Sequence, residues 1–139
     1  MAARAHPPDR RKTSPHEFPY NRQHDPPAPV LPLRVGAPGA DPVVAAPALV
    51  DSGADLTVLP EELVRMLRLP QIGEVTVRGV EGVARRVPVY AAEVEVVGGI
   101  RRIVEVVGIR ANALLGRDVL NGMVITLDGP QQVLRVEGG

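Results

Sequence analysis

From Val30 onward the chain runs in short apolar stretches separated by glycine, proline and acidic residues. VLPLRV at 30–35 alternates well enough for a strand, and GAPGADP at 36–42 reads as a loop. VVAAPALV at 43–50 is almost continuously apolar, as expected of a strand buried on both faces. A polar break, DSGAD, follows it directly. The next segment, 59–69, reads as a short helix. Pro60 suits its first turn, Glu61 and Glu62 sit where the helix dipole favours negative charge, and Leu63, Met66 and Leu67 share a face. Pro70 ends it. VTVRG at 75–79 and RVPVYAAEVEVV at 86–97 are predicted strands around the turn GVEGVA at 79–84. Gly98–Gly99 signals a tight hairpin into a returning strand at 100–109. ALLGRDVLNG at 113–122 is apolar, turns at Gly116, and is then briefly helical. MVITLDGPQQVLRV at 123–136 is a final hairpin around Asp128–Gly129.

Residues 1–27 have a different texture. They are rich in proline, charge and histidine and show no apolar periodicity, so they are expected to form a flexible tail preceding a domain at 28–139. A docking or processing segment is the functional alternative. The apolar residues are aliphatic: aromatics make up 2% of the chain, and valine crowds the region after Val30. β-Branched residues favour strands, and the 15 Pro and 14 Gly imply frequent turns, so a mostly β domain is expected.

The formal net charge is zero and Lys12 is the only lysine, which argues against a phosphate-binding field. Phe18 and Tyr20 fall in the tail, leaving Tyr90 as the one aromatic of the core region, too few for base stacking. No nucleic-acid partner is expected. No apolar run reaches membrane-spanning length and the first residues carry no apolar signal region, so the expected location is cytoplasmic, without membrane.

Elimination narrows the chemistry. There is no cysteine, and His6, His16 and His24 all lie in the tail. Ser14 and Ser52 are the only serines, so a Ser-His-Asp triad would have to recruit a tail histidine. Zinc ligands, a P-loop and a dinucleotide fingerprint are lacking, and no cofactor or metal is expected. Asp51 and Asp55 could share a divalent ion through oxygen, but nothing supplies its remaining ligands. Chemistry in this chain therefore rests on carboxylates. Asp51-Ser52-Gly53 stands out at the end of an apolar strand, although an Asx turn with a permissive glycine explains the same tripeptide. Arg85–Arg86 and Arg101–Arg102 read as solvated strand edges, and Met66 and Met123 as core fillers.

ALVDSGADLTVLP at 48–60 resembles the active-site segment of retropepsin-like aspartic proteases. ALLGRDVLNGMVITLDG at 113–129 is similar to that family's second signature, and VRGVEGVARRVPVY at 77–90 is placed and composed like its flap hairpin. Together the matches span 30–136. The resemblance implies a closed acid-protease-like β-barrel with one or two short helices, a flap hairpin and a C-terminal hairpin, as in a bacterial-type single-domain member. It implies Asp51 as catalytic aspartate, Ser52 as the hydroxyl bonding across a dimer, and Gly53 as the point of close substrate approach. Gly53, Ala54 and Asp55 would bind the main chain of an extended peptide, with Gly79, Val80, Glu81 and Gly82 as the flap tip. Arg117 would pair with Asp55, and Leu114, Leu115 and Gly116 would pack beneath the loop. Three features depart from the viral pattern: Glu81 at the flap tip, a longer loop at 36–42, and a full C-terminal hairpin.

One DSG is present and no second DSG or DTG. Asp118 and Asp128 lack that context, so a second catalytic carboxyl is expected from Asp51 of an identical chain, giving a homodimer. The expected function is an aspartic endopeptidase acting on peptide or protein substrates. The alternative is a non-catalytic peptide-binding or dimerisation module on the same fold.

Overall fold

The computed structural model describes residues 16–79, 81–96, 99–109 and 112–137. Residues 1–15 of the expected tail, Val80 of the expected flap tip and Gly98 of the expected hairpin lie outside this set.

The described chain is mostly β, with two short helices. In order it forms β1 (His16–Pro19), β2 (Val30–Leu31), β3 (Leu33–Gly36), β4 (Val44–Ala45), β5 (Ala48–Val50) and β6 (Thr57–Pro60), then helix α1 (Glu61–Met66). β7 (Gln71–Arg78), β8 (Ala84–Val96), β9 (Ile100–Ile109) and β10 (Leu114–Leu115) follow, then helix α2 (Arg117–Leu120), β11 (Ile125–Asp128) and β12 (Val133–Val136). Nine strands make one sheet in the order β2-β5-β10-β6-β9-β8-β3-β4, with β7 on β8, and β1-β12-β11 make a second sheet.

Proline cuts two of the runs expected to be continuous. Pro32 has no N–H for a ladder and divides 30–35 into β2, which pairs with β5, and β3, which pairs with β4 and β8. Because β2 and β3 are adjacent in sequence but far apart in strand order, the large sheet must curl until the two meet. That curl is the barrel. Pro47 likewise separates β4 from β5, and Val43 before them is exposed, so 43–50 is not one buried strand.

β8 carries a change of phase. Val87 and Val89 are buried, and then Ala92, Val94 and Val96 are buried, on the opposite parity. Successive strand residues face opposite sides, so the two sets serve two clusters. The main core takes Ala92, Val94 and Val96 with Leu33, Leu59, Val106 and Leu115. A smaller cluster on the other face joins Val87, Val89 and Val107 to half-buried Leu56, Val58, Val75, Val77 and Ile109. β6, β8 and β9 are thus apolar on both faces along part of their length, as the valine-rich sequence requires.

Several side chains differ from expectation. Residues 16–27 are ordered: β1 pairs antiparallel with β12, and Asn21 bridges to Ala28. Phe18 and Tyr20 pack against the main core, which gives this polar stretch the apolar anchor its composition concealed. α1 begins only after Pro60, whose extended backbone (ψ 137°) closes β6. Met66 is 62% exposed and does not fill the core. Arg101 is more than a solvated edge charge. It reaches Glu93 at 2.8 Å, the Ala40 carbonyl at 3.1 Å and Asp41 at 3.4 Å, and Glu93 also accepts the Gly39 N–H at 2.9 Å. These contacts pin the long loop after β3 to the sheet.

Candidate active site

β5 ends at Val50 and delivers Asp51, half-buried, to the rim of the sheet. The chain then turns, with the Ala54 N–H on the Asp51 carbonyl at 3.2 Å, and comes back as β6. β5 and β6 are not neighbours: β10 lies between them, parallel to β5 and antiparallel to β6. The 51–56 loop must therefore cross the end of β10, and the residue there is Gly116. A Cβ at Gly116 would stand 2.6 Å from the Leu56 carbonyl carbon and oxygen and 3.0 Å from the Ala54 oxygen. Only glycine lets the loop pass this close. Leu115, fully buried, supports the crossing from below and accepts the Asp51 N–H at 3.0 Å.

Within the loop, Asp51 Oδ1 accepts the Gly53 N–H at 3.0 Å, which fixes the carboxylate's rotation. Ser52 and Gly53 are exposed, and Ala54 is half-buried. Arg117 stands across from them at the start of α2. Its backbone N–H bonds the Ala54 carbonyl at 2.9 Å, and its guanidinium bonds the Ser52 carbonyl at 2.7 Å and the Asp55 carboxylate. A planar fork can hold two such acceptors at once. The pair is exposed (Asp55 82%), so it contributes little to stability and acts chiefly on loop geometry.

The residues missed by sequence reasoning are Thr57 and Asp118. Thr57 is fully buried. Its hydroxyl donates to Asp118 Oδ1 at 2.8 Å and accepts the Gly116 N–H at 3.1 Å, while its backbone N–H donates to Asp118 Oδ2 at 3.1 Å. Asp118, set aside as a catalytic candidate, is thus a tie between β6, the glycine crossing and α2. No local signal marks the pair, because its members are 61 residues apart.

β7 and β8 form a long hairpin that brings the paired Val75 and Val87 into the smaller cluster. Its turn is closed by the Gly82 N–H on the Gly79 carbonyl at 2.9 Å and steadied by Arg78 on the Gly82 carbonyl at 2.7 Å. Gly82 has φ +80°, a left-handed conformation suited to glycine. Glu81 is exposed at this turn. A separate hollow of about 770 Å³ lies between the β4–β5 region and α1, lined by His24, Ala46, Leu49, Leu63 and Met66 among others; Asp51 is not on its wall. Among the described residues no cluster of His, Cys, Asp and Glu could hold a metal ion, and no helix is long and apolar enough to cross a membrane.

A curled β sheet, a loop carrying DSG, a crossing glycine and an Arg-Asp helix start define a retropepsin fold. Solved structures share it. A retropepsin-like aspartic protease from Rickettsia conorii is 20% identical, with a TM-score of 0.56 over 86% of this chain and 98% of that one. The EIAV protease, solved in complex with the inhibitor HBY-793, is 24% identical, with a TM-score of 0.52 over 76% of this chain and 93% of that one. A foamy viral protease-reverse transcriptase is 19% identical, with a TM-score of 0.54, but its match to 68% of this chain spans only 12% of its own length. No curated protein matches the chain in sequence. The aspartyl protease family profile matches residues 31–125, and the chain belongs to that family.

Proposed function

We propose that the chain is an aspartic endopeptidase whose active form is a homodimer with one shared cleft. The observation that carries this is Asp51: it follows the partly buried strand β5, is oriented by the Gly53 N–H, and sits in a loop braced by Arg117 and Asp118. One carboxyl cannot both take a proton from water and polarise the scissile carbonyl. Two held about 3 Å apart repel by about 5 kcal/mol at an effective dielectric near 20, so one proton stays between them. This is the known behaviour of aspartic protease dyads. The unprotonated carboxylate accepts a proton as the water oxygen bonds to the carbonyl carbon. The protonated one donates a hydrogen bond to the carbonyl oxygen. Collapse of the tetrahedral intermediate breaks the C–N bond, with a proton passing to the departing nitrogen.

The other roles are those the family resemblance implies. Ser52 faces the dimer axis and bonds across it. Gly53, Ala54 and Asp55 receive the main chain of an extended peptide. The Gly79–Gly82 turn, with Val80 and Glu81, closes over it. Leu114, Leu115, Gly116 and Arg117 support the loop. The small cluster around Val75, Val87 and Val58 makes the groove walls apolar.

The test is incubation of wild-type and Asp51→Asn protein with an unfolded protein substrate between about pH 3 and pH 7, with and without pepstatin. Cleavage by wild type alone, blocked by pepstatin, is expected. Absence of cleavage from folded dimer would refute the peptidase reading in favour of a peptide-binding or dimerisation module.

A further inference from the structure

The β7–β8 hairpin is apolar on one face and charged on the other, with a single exception. Residues directly opposite in an antiparallel pair share a face, and successive residues alternate. Val75 opposes Val87 and Val77 opposes Arg85, whereas Thr76 opposes Arg86 and Arg78 opposes Ala84. Val75, Val77, Val87 and Val89 pack in the smaller cluster with Leu56 and Val58. Leu56 ends the loop that carries Asp51, so this face is the one turned toward the candidate groove. The other face holds Glu74, Thr76, Arg78 and Arg86, all exposed, and Arg86 pairs there with Glu74 at 2.9 Å. The two adjacent arginines therefore differ. Arg86 is a solvated strand charge, and Arg85 stands on the groove face. Arg85 is the one charged residue of that face, and among the described residues no carboxylate pairs with it. Its diagonal neighbour toward the turn is Gly79, where a Cβ would meet nothing within 4 Å, so open space lies beside it.

We propose that Arg85 sets a substrate preference: peptides with an Asp or Glu side chain at one position close to the cut bond. The proposal rests on the peptidase reading above and names its substrate class. An extended peptide beneath the hairpin alternates its side chains, so every second one meets the groove face. Apolar side chains there meet Val75, Val77 and Val87. A carboxylate beside Arg85 meets a planar fork with two parallel N–H donors. A Lys or Arg at the same place meets a like charge. Closure of the hairpin removes water from the pair and strengthens it in either sense. Glu81 at the turn and Asp51 and Asp55 on the loop below are acidic. The groove as a whole therefore does not attract acidic peptides, and the preference is confined to the position next to Arg85.

A randomised synthetic peptide library, incubated with wild type, Arg85→Glu and Arg86→Glu at about pH 5.5 so that Asp and Glu side chains are ionised, reads this directly. Cut sites are mapped by mass spectrometry. In wild type, Asp and Glu are expected to exceed Asn and Gln about tenfold at one position within about three residues of the cut bond. Arg85→Glu is expected to reverse the preference to Lys and Arg at that same position. Arg86→Glu, one residue away on the other face, is expected to keep the wild-type profile. Both arginines are exposed, and thermal unfolding checks that the variants fold. An Arg85→Glu profile identical to wild type would overturn the proposal. So would an equal shift from Arg86→Glu, which marks a general effect of surface charge. Binding is scored separately, as retention of the same library on immobilised Asp51→Asn protein with and without Arg85→Glu. If wild type cuts nothing, retention of acidic peptides that Arg85→Glu abolishes removes the peptidase reading and leaves the selectivity. Cleavage with no positional preference for acids does the reverse.

Discussion

Thr57→Val isolates the buried tie beneath the candidate loop. Valine matches threonine in shape, so no cavity opens and β6 keeps its propensity. Three changes follow at known atoms. Asp118 Oδ1 loses a donor at 2.8 Å, the Gly116 N–H loses an acceptor at 3.1 Å, and an added methyl sits in a fully buried site. A hydrogen bond to a charged group contributes about 1.5–3 kcal/mol, and a stranded buried donor costs about 1–3 kcal/mol. The methyl recovers about 1 kcal/mol. The net loss expected is about 3 kcal/mol, or roughly a 10 °C fall in Tm for a domain of this size. Urea and thermal unfolding at fixed protein concentration measure it, since dimerisation would otherwise shift the midpoint. A cycle with Asp118→Ala is expected to show a coupling of about 1–3 kcal/mol. A Thr57→Val loss below about 0.5 kcal/mol, within the range of ordinary surface changes, or a strictly additive cycle, would refute the tie.

Gly116→Ala places a methyl against the Leu56 carbonyl at 2.6 Å and should cost at least about 1–3 kcal/mol, read by the same unfolding assay; a neutral effect would mean the crossing is loose. Arg117→Lys keeps the charge but not the fork that holds Ser52 and Asp55, so kcat/KM should fall about tenfold or more with little change in Tm; equal activity would show that charge alone suffices. The Gly39 N–H, and then the Arg101 guanidinium, hold the Glu93 carboxyl below the ordinary glutamate range. A carboxyl with a lowered folded pKa stabilises above its unfolded value, and the contribution disappears as pH falls through the folded value. The stability gap between wild type and Glu93→Gln is therefore expected to shrink between about pH 6 and pH 3, and a gap that is constant or grows on acidification would contradict the loop clamp.

Much of this was legible locally. A β-branched run, a glycine turn or a proline acts on its own neighbours, so β7, β8, β9 and the C-terminal hairpin could be placed from short windows, as could the loop at Asp51. Short windows do not show the effect of Pro32 and Pro47, where one missing N–H splits a strand and sends its halves to different partners. The composition of residues 16–27 reads as tail and hides the three features that order them: Phe18, Tyr20 and the free edge of β12. Sequence alone placed Asp51 after an apolar strand and Arg117 near a helix start, because both lie in contiguous motifs. Only the tertiary structure decided that β10 passes between β5 and β6, and everything at the site depends on that crossing. It forces Gly116 under the loop, brings Arg117 to Asp55, and closes Asp118 onto Thr57. These partners are about sixty residues apart, and side-chain periodicity carries no information at that range; strand order does.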